Sequence, residues 1–408
     1  MHASPPFRQI AAAFVCWVWY SSSLVWAHDA TAPEYLAQGA VTAADRSEQT
    51  ANEGPEDATS VCRVSLQLVD AKTRSPSPGI IRITERSGAA VHVGDLLNRG
   101  TGLDPTHLAR QWYVVIDSAE IRLPQTPLKI EALCGIETEL ASLELDLTGC
   151  KEKRIVMPLK RLFDAAGQNL RCGNTHLHLM HLTRAQADHY LKTIPVGDGL
   201  ELLFVSHLRR IPDEKSYITN RYSAQDLEQL NSPRLRFGFG QEHRHNFGRS
   251  GEGYGHVMLL DLPELIRPVS IGPGIMGSGT DSPPLIHGIR QAREGGGTAI
   301  WCHQSRGFED VPNWLLGMLD AQNIFDGTQS RNYETAFYPL LNIGLQAPFS
   351  TGTDWFIYDF SRVYVEMTEA LTPTAWLAAL ARGRSFITNG TLLTFTADGR
   401  RPGYTVEL

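Results

Sequence analysis

Apolar and polar positions divide the chain into stretches of different period. From residue 61 to about 161 the period is two: Cys62, Val64, Leu66 and Leu68 alternate with Arg63, Ser65 and Gln67, as in a half-buried strand. A second strand is predicted at 79–84 after a Ser/Pro turn, with more at 112–116, 128–133, 143–147 and 154–159. Short strands at this spacing predict a small all-β sandwich over residues 61–164, a packing module with no catalytic cluster. From about residue 167 strands alternate with helices. Apolar strands are predicted at 200–205 and 298–302. Pro283 opens a helix carrying Leu285, Ile289 and Ala292 on one stripe, with Gly295 as its C′ glycine. Thr372-Pro373 forms an N-cap and N1 pair ahead of Trp376, Leu377 and Leu380, with Gly383 as the stop. This alternation across residues 165–408 predicts an α/β barrel or wound sheet, with functional residues gathered beyond the strand ends.

The remaining residues differ in composition. Arg8 precedes an apolar run over 10–25 that three serines interrupt, and Val25 and Ala27 suit a signal peptidase. The run falls short of a membrane span. Residues 1–27 therefore read as a signal peptide cleaved near Ala27, making the protein secreted or periplasmic, without stable membrane insertion. Residues 28–60 hold seven acids and one Arg, most of the formal charge of -7, and few large apolar side chains, so they read as a disordered acidic linker. The negative balance argues against nucleic acid as a partner. Cleavage leaves Cys62, Cys134, Cys150, Cys172 and Cys302. Export would favour pairing among the first four, with Cys302 as a buried thiol.

Candidate chemistry is scattered through the α/β half. His176 and His178 are one residue apart at a strand end, so both rings leave the same face. His207 ends the next strand, and Glu242 follows the glycine-rich 237–241. His256 follows Gly253-Tyr254-Gly255, His303 ends the strand with Trp301-Cys302, and Asp354 follows Gly352-Thr353. Imidazole and carboxylate together suit borderline divalent metals. Arg244 and Arg249, with His243 and His245, would give an anion-binding rim beside Glu242. The glycine-rich 272–279 lacks the Lys-Ser/Thr ending of a phosphate loop.

This ordered set resembles the PHP (polymerase and histidinol phosphatase) metallohydrolase superfamily, in its CehA/McbA-type branch. The resemblance rests on 173–178, 200–207, Glu242, Gly255-His256, 301–303, 352–354 and 383–390, and covers roughly residues 165–400. It implies a distorted seven-stranded (β/α) barrel with its metal centre at the C-terminal mouth. One ion would be held by His176, His178, Glu242 and Asp354. A second would share Glu242 and add His256 and His303. Ser206 and Phe356 stand where the family has two further polar positions, so two divalent ions (Zn, Mn or Fe) are expected, not three. These would supply a bridging hydroxide, with Asp354 orienting it or taking its proton and His207 as proton donor to the leaving group. The expected function is hydrolysis of a small-molecule phosphoester. A carboxyl-ester, amide or carbamate hydrolase, and a metal-binding protein without turnover, stay open.

Overall fold

The alternation in β1 (Val61–Asp70) is matched by burial: Cys62, Val64, Leu66 and Leu68 are inaccessible to solvent, while the intervening residues are open. The computed structural model describes residues 61–209, 217–245, 254–271, 284–303, 307–324, 326 and 334–406. The predicted signal peptide and linker, Arg249 and the glycine-rich 272–279 lie outside them. The strands β2 (Gly79–Glu85), β3 (Tyr113–Val115), β4 (Ser118–Pro124), β5 (Pro127–Leu133), β6 (Ala141–Asp146) and β7 (Glu152–Leu159) follow β1. They form a three-stranded sheet, β4-β1-β7, and a four-stranded sheet, β3-β2-β5-β6. Pairing is antiparallel except between β1 and β7. Val64, Leu66, Ile83, Ile130, Ile155 and Met157 fill the core of this layer.

The rest of the chain is built on one large sheet. Its strands are β8 (Leu170–His178), β9 (Leu202–His207), β10 (Arg236–His245), β11 (Gly255–Leu260), β12 (Ser270–Ile271), β13 (Thr298–Cys302), β14 (Ala321–Asn323), β15 (Phe349–Ser350), β16 (Asp354–Trp355), β17 (Arg362–Glu366) and β18 (Ser385–Thr388). Nine of them run in the order β15-β14-β13-β11-β10-β9-β8-β17-β18, with β12 on β10 and β16 on β8. The Ser385 hydroxyl at one end donates to the Phe349 carbonyl at the other, 3.1 Å away, so the sheet nearly closes. The pairing is mixed: β8, β9 and β10 are parallel, while β11 and β17 run against their neighbours.

Six α-helices among the described residues accompany the sheet: α1 (Arg184–Gly197), α2 (Ala224–Leu230), α3 (Leu285–Glu294), α4 (Asp310–Leu315), α5 (Glu334–Asn342) and α6 (Pro373–Ala381). The predicted Thr372 cap is present, accepting from the Ala375 amide. The glycine that ends α3 is Gly296 rather than Gly295. Gly296 has φ 86°, and Gly295 stays on the ordinary side. No helix among the described residues is long and apolar enough to cross a membrane.

The β layer and the large sheet share a core. Ile80 and Val114 pack with Tyr190, Leu191 and Ile194 of α1. Arg99 forms a buried pair with Asp198 at the end of α1 (2.7 and 2.8 Å) and also reaches the Asp359 carbonyl. Val61–Leu408 accordingly forms one compact unit. The five described cysteines are free thiols, in place of the pairing expected of export. Cys172 is fully buried, its thiol donating to the Gly199 carbonyl.

Candidate metal centre

Strict alternation along β8 would not point both histidines into the site. Gly173 faces Trp376, while Leu177 lies in the outer core with α1. A register shift between Asn174 and Leu177 inserts the residue needed to turn His176 and His178 to the same inner side. Asn174 and Thr175, inside this irregularity, bind the loop opposite. Asn174 accepts from the His176 amide and donates to the Thr353 hydroxyl (both 3.0 Å), and Thr175 donates to the Thr351 carbonyl (2.9 Å). The Thr353 amide returns a bond to the His176 carbonyl. Gly352 permits this approach, since a Cβ there would stand 2.6 Å from the His176 nitrogen. Two residues on, Asp354 has φ 60°, a conformation a short polar side chain tolerates, and projects its carboxylate at the histidine pair.

Glu242 and Arg244 lie on the face of β10 that carries Gly238, against which Phe204 packs. Register places Arg244 opposite His256 on β11, and His256 opposite Cys302 on β13, one residue before His303. Lateral pairing thus brings together side chains separated by some sixty residues of sequence. Among the described residues, three groups result with candidate ligand atoms within 4.8 Å of one another: His176-Cys302-His303-Asp326, and two ligand groups on Glu242, His176-His178-Glu242-Asp354 and Glu242-His256-His303.

The distances show what this arrangement suits. His176 Nε2 and His178 Nε2 are 2.8 Å apart. His178 Nε2 lies 3.2 Å from Glu242 Oε2, and His176 Nε2 lies 3.4 Å from Asp354 Oδ1. On the far side of each ring, His178 Nδ1 meets the Ser206 carbonyl (2.9 Å) and His176 Nδ1 meets Asp326 Oδ2 (2.7 Å). Both partners accept, so each Nδ1 carries a proton and Nε2 is the atom each ring has left to offer an ion. Glu242 Oε1 and Asp354 Oδ1 are buried acceptors that receive no hydrogen bond. Ring nitrogens converging with carboxylate oxygens that receive no hydrogen bond are the chemistry of a cation site. The donor set therefore fits a divalent ion.

Titration points the same way. Burial alone would depress His176, but the Asp326 and Asp354 carboxylates overcome it and raise the ring to about 10. His303 is likewise pushed well above an ordinary imidazole, against its burial, by Asp326 and Glu242. Burial works to raise Glu242, yet Arg244 and the surrounding histidines hold it well below the usual carboxylate range. Burial raises Asp354, and Glu242 adds to the rise. Without metal, the buried carboxylates are balanced by protons on histidines, which an ion would replace.

The other predicted residues are placed differently. His207 lies outside both ligand groups, its Nε2 donating to the Tyr222 carbonyl at 2.8 Å; burial lowers its pKa. Arg244 donates from Nε to His256 Nε2 (3.3 Å) and lies 3.5 Å from Glu242 Oε1. His256 therefore turns Nδ1 to Glu242, at 3.3 Å. Ligation through Nδ1 requires the ring proton on Nε2, so an ion there obliges Arg244 to swing away. His243 is on the opposite face of β10, donating to the Val269 carbonyl against Gly288 of α3, and is no part of an anion-binding rim. Its burial lowers its pKa to about 3. Phe356 is buried against Gly102 and Tyr190, and Ser206 presents its carbonyl, not its hydroxyl, to His178. Sequence reasoning missed Asp326, which lies just beyond a three-residue strand in a segment without a readable period.

No protein-family model matches the chain, and no curated protein matches it. Among solved structures, the chain is similar to a two-domain protein from Bacteroides vulgatus containing a predicted PHP-like metal-dependent phosphoesterase. Identity is 13%, over 56% of this chain and 68% of that one, with a TM-score of 0.40. It is also similar to the C-terminal domain of the shaft pilin SpaA of Lactobacillus rhamnosus, at 10% identity over 25% of this chain and 98% of that one, with a TM-score of 0.11. Neither likeness is close enough to bear on the site, whose chemistry rests on its own geometry.

Proposed function

We propose that the chain is a divalent-metal-dependent hydrolase of the PHP type acting on small phosphoesters. One ion is assigned to His176, His178, Glu242 and Asp354, and a second to Glu242, His256 and His303. The supporting observation is the facing pair of His176 and His178 Nε2 atoms beside carboxylate oxygens that have no donor. The reading as an exported protein rests on residues 1–27 alone.

When bound, such ions lower the pKa of a water and polarise the ester. Glu242 offers one oxygen to each ligand group and so fixes their separation. Asp354 lies in a water-poor setting that raises its pKa, which suits it to take the proton of the attacking water. Arg244, displaced from His256, is left at the mouth with its fork of donors free for a phosphoryl group. His207 is committed to Tyr222 and is assigned no proton transfer.

Metal analysis of the purified full-length protein tests this reading, together with 4-nitrophenyl phosphates and 4-nitrophenyl esters in Mn²⁺ or Zn²⁺. About two ions per chain and phosphate turnover are expected, both lost in His176→Ala plus Glu242→Ala. Turnover of esters alone would move the assignment to carboxyl-ester or carbamate hydrolysis. A wild-type protein that takes up no metal would sink it.

A further inference from the structure

Asp326 touches a histidine of each ligand group. Its Oδ2 is 2.7 Å from His176 Nδ1 and 3.3 Å from His303 Nδ1, and it accepts from the Asn323 amide at 2.9 Å. Asp326 and Asn323 are both buried. The His176 and His303 rings stack, with centroids 5.5 Å apart and planes at 18°. Their Nε2 atoms face different oxygens of Glu242, Oε2 at 3.7 Å and Oε1 at 3.6 Å. Two parallel imidazoles thus stand between two carboxylates, Asp326 behind and Glu242 in front.

Resting on the two-ion reading above, we infer that Asp326 is a positioning residue that orients one histidine of each ion site, coupling both sites through a single carboxylate oxygen. A neutral imidazole carries one proton, and an anionic acceptor at Nδ1 keeps it there. The Nε2 lone pair is then available to an ion, and its basicity rises. The same oxygen bonds His176 and stands 3.3 Å from His303 Nδ1, which has no hydrogen-bond partner among the described residues, so losing it disturbs both sites. The competing arrangement makes Asp326 a ligand, with His176, Cys302 and His303, of an ion of its own. That would place an ion on each nitrogen of His176 and strip both of its protons. It would also require the buried Cys302 thiol to lose its proton and act as a ligand. The positioning role requires neither.

The test titrates Mn²⁺, then Co²⁺, onto metal-stripped full-length protein, comparing wild type with Asp326→Ala, Asp326→Asn and Asn323→Ala. Calorimetry reads affinity, and the visible bands of bound Co²⁺ read ligand geometry. Asp326→Ala is expected to weaken both sites by about 10–100-fold and to shift the Co²⁺ bands. Asp326→Asn, which keeps an acceptor but loses the charge, should weaken them less, and Asn323→Ala should act in the same direction. Thermal melting of the metal-free proteins identifies any variant that fails to fold, and Asn323→Ala then decides. Wild-type affinity at both sites in the variants overturns the inference, as does weakening at one site only. A wild-type chain that binds fewer than two ions overturns the two-ion reading, and this inference falls with it. A wild type that loads beside variants that load equally overturns the role of Asp326 alone.

Discussion

His176 and His303 both hold protons in the metal-free centre, and His176 gives the pH interval over which they are lost. The metal-free protein holds this imidazole near about 10 against an ordinary 6.5. Because the folded value is the higher, protonation stabilises the metal-free fold. That contribution is fully present below about 6.5 and is lost as the pH rises toward about 10. Metal binding acts in the opposite direction, since an ion must displace the same proton. We therefore expect the metal-free protein to melt progressively lower across this interval while Mn²⁺ affinity climbs. Thermal scans with and without Mn²⁺ at stepped pH would show the two curves diverging, and parallel curves would contradict the assignment. His243 opposes this at the acid end. Held neutral by burial, it costs stability as the pH falls below 6.5 toward about 3.

At the scale of elements, the site depends on how closely the 350–354 loop lies against β8. Gly352→Ala would bring a methyl group onto the backbone of His176 and force the two apart. A loss of about 1–3 kcal/mol in denaturant unfolding is expected, with weaker metal binding. Unchanged values for both would show that the loop has room. Much of this architecture is legible in the sequence. The two-residue period of β1 and the Thr372 cap of α6 appear where local pattern places them. β4 is harder to read, because only Ile121 and Leu123 are buried among polar neighbours. In α1 the buried Ala187, Tyr190, Leu191 and Ile194 have helical spacing, but charged and polar residues interleave them. The histidine pair is visible as a motif, whereas its aim depends on a register shift that no side-chain pattern announces. Asp326 acquires its place only through tertiary pairing, and His243 looks like a site residue until strand alternation turns it to α3.

For the whole molecule, the buried Arg99–Asp198 pair joins the β layer to the end of α1, and Arg362 adds a bond to the Asp198 carbonyl. Arg99→Ala leaves the Asp198 carboxylate buried without its partner, a loss expected to cost about 3–5 kcal/mol. Chemical denaturation would measure it; a cost below 1 kcal/mol would mean that water reaches Asp198. The contact of Gly102 with Phe356 extends the same dependence to the site. Phe356 follows Asp354 by two residues, and its ring seats against the β layer. The loop that presents a candidate ligand is thus braced by a part of the chain with no catalytic cluster of its own. Recombination that exchanged the N-terminal layer for another would leave this aromatic ring without its seat and Asp198 without its cation. A graft of the large-sheet portion onto a new scaffold must therefore carry residues 61–159 with it.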